Sequence, residues 1–356
     1  MMAGFELLAA TAGSIVQNVS TLDPASPPAE SIRFLIIFVT AVCAFILAVV
    51  WGVLFYSLLR FRRKKAAGSV ENEPPQVYGS MPIEIAWTVA PAIIVFLLVL
   101  VIVRTEFEVR AKPLSLDAAP HAVRATVIGH QWWWEYVIDR DGERTVNLVT
   151  ANELHLPASE GAGRMGQGAD ENKGQEVARP VYLSLKSADV CHSFWLPRLA
   201  GKTDLIPGRV NEMWFQTDQP DKYVGQCAEY CGAQHAGMLL NVYLDPPEEF
   251  DAWLANEEKP AVEDANVQDG KAAFLAQSCV NCHAIRGTGA QGHVGPDLTH
   301  LKSRKTLAAG MFELNRDNLR AWIHDPQQLK PGCLMPAFGL SDQNVELITD
   351  YLMSLK

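Results

Sequence analysis

The sequence predicts a multidomain protein in three parts: a two-helix transmembrane hairpin, a small β-sandwich or barrel, and an all-α C-terminal domain. Three observations predict it. Two long apolar runs lie before residue 104, short β-branched and aromatic runs fill the middle, and helical periodicity takes over after about residue 246. A chain of 356 residues with 49% hydrophobic content has room for all three.

Ile32 to Leu59 and Ile83 to Val103 each exceed the roughly 20 apolar residues that cross a bilayer. Between them Arg60, Arg62, Arg63, Lys64 and Lys65 follow the first run at once. The positive-inside rule puts that loop in the cytoplasm, so everything after Val103 faces outward. Residues 1–31 form an N-terminal segment, with only weak support for a cleaved signal, and 32–104 form the hairpin. Outside the cytoplasm, free thiols need a disulfide, a metal or a covalent cofactor, and seven cysteines is an odd number for a disulfide framework.

From 105 to 247, "HAVRATVIGHQWWWEYVID", "RTVNLVTANELHLP", "RPVYLSLKSADVCHSFWLP", "RVNEMWFQTD" and "GMLLNVYLDP" read as strands of an antiparallel sandwich or barrel. The Gly-rich polar stretch 158–176 reads as a surface insertion. Residues 248–265 form an acidic linker, expected to tether the domains without locking them. Residues 266–356 form the helical domain, with helices around "GKAAFLAQSC", "NRDNLRAWIHDP" and "SDQNVELITDYLMSL".

The helical domain carries "CVNCH". Two thiols three residues apart add to the vinyl groups of haem c, and the following imidazole ligates the iron, so Cys279, Cys282 and His283 are assigned to covalent haem. Met335 in "PGCLMPAFG" is the expected sixth ligand, ahead of Met311 and Met353, which lie in helical patterns, and of His293, His300 and His324. The carbonyl of Pro296 is placed to hold the His283 ring nitrogen.

In "GQCAEYCGAQHAGM", a disulfide explains only the cysteines and zinc leaves the methionine without a role. Copper uses thiolate, imidazole and thioether together. Two cysteines in one loop suggest two coppers bridged by Cys227 and Cys231, with Met238 as a weak ligand, His235 serving one ion and His192 of "VCHSFW" the other. Cys191, Cys333 and Cys43 read as small buried hydrophobes.

Behind a two-span hairpin, "VCHSFWLPRLAGKTDLIPGRVN", "QCAEYCGAQHAGM" and "GHQWWWEY" resemble cytochrome c oxidase subunit II, and the added haem domain makes the chain similar to the fused caa type. The resemblance implies a cupredoxin-like fold around a dinuclear CuA centre held by His192, Cys227, Cys231, His235, Met238 and the carbonyl of Glu229. It also implies that the Glu229 side chain reaches a magnesium ion shared with the catalytic subunit. Trp132 is then where electrons enter, while Trp134 and Tyr136 fit packing equally. Glu84, in "PIEIAW", resembles the head of a proton path, though an acid there also suits a helix N-terminus.

The implied function is electron delivery, haem c to CuA to a haem-copper subunit that reduces oxygen and pumps protons, as part of a cytochrome-c oxidase whose oxygen site lies in another chain. Implied partners are subunits I and III and an external cytochrome c or cytochrome bc complex, at the plasma membrane with both cofactor domains on the periplasmic side. The alternatives are a nitric- or nitrous-oxide reductase component or a copper assembly protein. A charge of −10, with most of the acidic excess in the β domain and the helical domain near neutral, fits a basic donor and no nucleic acid.

Overall fold

A computed structural model of the chain describes residues 20–62, 76, 78–111, 122–139, 147–159, 179–262 and 264–356. Arg63, Lys64, Lys65, most of the N-terminal segment and nearly all of the 158–176 insertion lie outside the described residues. The chain divides into two compact units, one of residues 31–111 and one holding the rest.

The first unit is a pair of helices, α1 (Pro27–Arg60) and α2 (Met81–Arg110), with mean hydropathies of 2.9 and 2.8 over their most apolar stretches. At about 1.5 Å per residue each is long enough to cross a hydrocarbon layer roughly 30 Å thick. Large apolar side chains such as Leu47, Trp51, Leu58, Phe96 and Leu100 stand exposed along them, as expected of helices whose solvent is lipid. Glu84 lies in the first turn of α2, where a negative charge meets the positive end of the helix dipole.

In the second unit, ten strands form two five-stranded sheets. These are β1 (Val123–His130), β2 (Trp133–Asp139), β3 (Asn147–Ala151), β4 (Glu153–Pro157), β5 (Val181–Ser187), β6 (His192–Trp195), β7 (Thr203–Leu205), β8 (Asn211–Phe215), β9 (Asp221–Cys227) and β10 (Leu239–Asp245). The sheet orders are β3-β2-β1-β5-β8 and β4-β10-β9-β6-β7. The sandwich is mixed, against the antiparallel expectation: β1 runs parallel to β5 with Val123 opposite Val181, and β10 parallel to β4 with Asn241 opposite Glu153. Asn152 makes the switch between sheets. Its φ of 65° is a left-handed conformation that asparagine tolerates, and its side chain accepts a hydrogen bond from the Trp134 amide.

Trp134, Tyr136, Phe194, Phe215 and Tyr223 are fully buried between the sheets, with Trp134 edge-on to Phe194. At about 25 cal/mol per Å² of apolar surface, such aromatics dominate the sandwich core. The run "QWWWEY" is not one strand: Gln131 and Trp132 form the turn between β1 and β2, so Trp132 leaves the core face that Trp134 and Tyr136 occupy.

Helix α3 (Pro247–Glu257) packs Phe250 and Leu254 onto the same core. Then come α4 (Gln268–Ala276), α5 (Cys279–Cys282), a short hairpin β11 (Thr306–Leu307) and β12 (Phe312–Glu313), α6 (Arg316–His324), α7 (Pro326–Leu329) and α8 (Asp342–Leu352). Phe274, Leu319, Val345, Ile348 and Tyr351 form a separate core. The three helices read from the sequence are α4, α6 and α8. Met311 is not helical, as its pattern suggested, but lies on the β11–β12 connection.

Candidate metal centre and adjoining cleft

Strand β9 ends at Cys227 and β10 begins at Leu239, so the loop between them is short and pinned at both ends. Within it the His235 amide donates to the Gly232 carbonyl, 3.1 Å, and the Cys227 amide to the Met238 carbonyl, 3.3 Å. These bonds fold the loop back so that its soft side chains converge. The Cys227 and Cys231 sulfurs lie 3.8 Å apart, and Met238 Sδ lies 3.5 Å from Cys231 Sγ. Each thiol has its own imidazole: His192 Nδ1 is 3.9 Å from Cys227 Sγ and His235 Nδ1 is 3.7 Å from Cys231 Sγ. The Glu229 carbonyl lies 3.2 Å from Cys227 Sγ. His192 arrives from β6, where Phe194 pairs opposite Cys227.

The electrostatics of this cluster call for a cation. Burial raises the Cys227 thiol, but His192 and a backbone donor at Ser193 outweigh it and bring it down to about 7. Burial raises Cys231 as well, and the neighbouring Cys227 pushes it further, to about 12. Two buried sulfurs at this distance do not both ionise unless positive charge is shared between them. Thiolates, imidazoles and a thioether are ligands of copper. His192, Cys227 and Cys231 stand out as the metal-holding group among the described residues.

One supporting residue escaped the sequence reading. Asp189 Oδ1 lies 2.8 Å from His192 Nε2, and its carboxylate also accepts the amides of Gln131 and Val190, both at 2.6 Å. That partner fixes the imidazole with Nδ1 toward the thiols. The only available hint was an acid three residues before His192.

Cys191 is exposed just ahead of β6, not a buried hydrophobe, and Cys43 is exposed on α1. Cys333 is half-buried, with a Gln327 amide donating to its sulfur.

In the helical domain, Cys279, Cys282, His283 and Met335 line one cleft with Leu298, Leu301, Trp322 and Phe338. His283 Nδ1 bonds the Pro296 carbonyl at 2.7 Å, which leaves Nε2 for an iron. A Cβ at Gly295 would come within 2.7 Å of the His283 ring, so glycine permits the loop to close over it. These residues fit a covalent haem. His300 is no rival ligand, since both its ring nitrogens are taken by the carbonyls of Lys356 and Lys259. The cleft's far wall comes from the β domain: Gln131, Trp132, Trp133 and Asn152. Trp132 Nε1 donates to the Cys231 carbonyl at 3.1 Å, and Gln131 Nε2 donates to the same oxygen at 2.8 Å.

Three family models match the chain: the transmembrane domain of cytochrome c oxidase subunit II over residues 14–111, its periplasmic domain over 123–244, and cytochrome c over 267–356. Cytochrome c oxidase subunit 2 of Alkalihalophilus pseudofirmus is 34% identical, the match covering 96% of this chain and 92% of that protein. The Bacillus sp. PS3 subunit 2 is also 34% identical, over 95% and 92%. The crystal structure of the periplasmic domain of subunit II of the Bradyrhizobium japonicum oxidase is 26% identical, covering 39% of this chain and 96% of that one, with a TM-score of 0.32.

Proposed function

Because the chain belongs to the cytochrome c oxidase subunit II family and ends in a cytochrome c domain, we propose that it is the electron-delivery subunit of a caa-type terminal oxidase. Family membership makes it a membrane-anchored component of an oxidoreductase complex whose catalytic activity lies in another subunit. Haem c and dinuclear copper, when bound, would supply one-electron carriers between an external donor and the catalytic subunit that reduces oxygen and pumps protons.

The division of labour follows the domains. Cys279 and Cys282 would hold the haem covalently, and His283 and Met335 would supply the ligands to its iron. His192, Cys227, Cys231, His235, Met238 and the Glu229 carbonyl hold the coppers. The Glu229 side chain, exposed beside the exposed Tyr230, is left free for a magnesium ion shared with subunit I. Subunit III and an external cytochrome c or bc complex complete the assembly, with both cofactor domains on the periplasmic face. Glu84 heads a proton path into the catalytic subunit.

One observation carries this reading: Trp132 lines the haem cleft with its ring while its N–H binds the carbonyl of Cys231. A single side chain therefore joins the two candidate sites. Flash photoreduction of the haem in the assembled oxidase tests it. Copper reduction should follow promptly in the wild type and slow markedly in Trp132→Ala with metal content unchanged; equal rates would remove Trp132 from the route.

A further inference from the structure

Two buried charges cross between the β domain and the helical domain in opposite directions. Lys330 follows α7 in the helical domain and is 3% exposed. Its ammonium donates to the carbonyls of Trp132, 3.0 Å, and Gly237, 2.8 Å, in the β domain, and to Ala308, 3.0 Å, in its own. Three N–H donors meet three carbonyls, so the group is fully satisfied without a counter-charge. Glu153 opens β4 in the β domain and is also 3% exposed. Its carboxylate accepts the backbone amides of Lys305, 3.0 Å, and Thr306, 2.7 Å, and the Thr306 hydroxyl.

Each domain thus places one ion where chiefly the other domain can solvate it. A charge left buried with its partners missing is strongly disfavoured, so such a contact is either fully made or fully opened to water. Around the pins, the Leu239 amide donates to the Ala309 carbonyl at 3.0 Å and Gln234 Nε2 to the Pro331 carbonyl at 2.6 Å. Ala308, Ala309 and Gly310 all have φ between 55° and 83°, and a Cβ on Gly310 would lie 2.6 Å from Asn241 Nδ2. The segment is held in an uncommon conformation where it presses on β10.

We propose that Lys330 and Glu153 form a two-way latch that keeps the haem cleft seated over Trp132. The proposal rests on the electron-delivery reading. The latch sits where the register matters: Lys330 grips the carbonyl of the tryptophan itself and that of Gly237, next to Met238, and precedes Met335 by five residues on the same loop. Lys330 and Glu153 are positioning residues, acting through the tryptophan and the copper loop. A soluble cytochrome must deliver its electron to the haem domain's outer surface.

The test uses the full-length protein in its assembled oxidase. In the wild type, hydrogen exchange at the Thr306 and Leu239 amides should be as slow as in the two domain cores; exchange at the rate of surface loops would overturn the latch without any variant. In Lys330→Met and Glu153→Gln, with haem spectrum and copper content intact, both amides should exchange roughly tenfold faster or more. Haem-to-copper transfer should slow, and direct copper reduction by an added soluble cytochrome c should appear. Unchanged exchange in both variants would refute the proposal. Absence of haem-to-copper transfer in the loaded wild type would instead refute the electron route, with the exchange result still deciding the latch.

Discussion

Asp189→Ala and Asp189→Asn perturb the copper site without touching any ligand. Among the described residues the Asp189 carboxylate is the partner of His192 Nε2, and it holds two backbone amides besides. His192 itself is fully buried whereas Asp189 is exposed, so truncating the carboxylate leaves His192 Nε2 to solvent, which holds the ring less firmly than a fixed acceptor. Burial opposes a charge on His192, but Asp189 and Cys227 outweigh it and raise its pKa. Removing such an outer carboxylate lowers metal affinity by about 10- to 100-fold. That is about 1.4–2.7 kcal/mol. Alanine belongs at the upper end, because the Gln131 amide also loses its acceptor and with it the turn that presents Trp132 to the Cys231 carbonyl. Asparagine keeps one oxygen and belongs at the lower end. Competition of the full-length protein for copper against a chelator of known affinity reads the change directly. Affinity within twofold of wild type in the alanine variant, with an unshifted near-infrared band, would show that strand packing alone orients His192.

Gly129→Ala should lose copper while keeping haem, since its Cβ would stand 2.8 Å from His192 Cδ2 and force the ring aside at a cost of about 1–3 kcal/mol; metal analysis beside the haem spectrum checks it. Glu84→Ala should slow turnover of the assembled oxidase and leave haem-to-copper transfer intact, and unchanged oxygen consumption would leave Glu84 as a helix-dipole acid only. Burial raises the Glu257 pKa despite Arg304, His300 and Arg286. The folded form then binds the proton more tightly than the unfolded one, so this group's contribution is present below its unfolded pKa and is lost as pH rises through its folded pKa. Glu257→Gln should accordingly raise the melting temperature at pH 7, with the gain shrinking as pH falls toward 4. Internal electron transfer should be nearly insensitive to ionic strength, because the interdomain ions are buried, whereas reduction of the haem by a basic donor should slow with salt.

The sequence made the metal loop legible because four side-chain donors fall within twelve residues, and a short loop between paired strands leaves them little choice but to meet. His192 was reachable because a histidine flanked by β-branched and aromatic residues sits at a strand end. Asp189 was not, since one acid among many has no mark until the imidazole it holds is located. Periodicity fixes which face a strand buries but not the direction of its neighbour, so the parallel β1–β5 and β10–β4 pairs were invisible. The turn at Gln131 and Trp132 carries neither glycine nor proline, and the aromatic run therefore read as a single strand. Lys330 and Glu153 look like surface charges in sequence, because burial of an ion is decided by backbone groups of a distant segment.

Those two residues also change the physical account of why the domains share a chain. A flexible acidic tether alone would give an effective concentration on the order of millimolar, leaving each electron to wait for a productive encounter. Helix α3 already removes part of that freedom by packing Phe250 and Leu254 onto the sandwich, so the free connection is shorter than the acidic composition implied. The remaining contact includes ions satisfied through backbone dipoles, beside the Leu239–Ala309 and Gln234–Pro331 hydrogen bonds. Backbone carbonyls and amides are directional and fixed, so Lys330 and Glu153 have few alternative registers in which both are satisfied. An apolar patch of equal strength would tolerate sliding. The polar contact therefore selects one orientation of the cleft against Trp132, the side chain that also binds the carbonyl of Cys231.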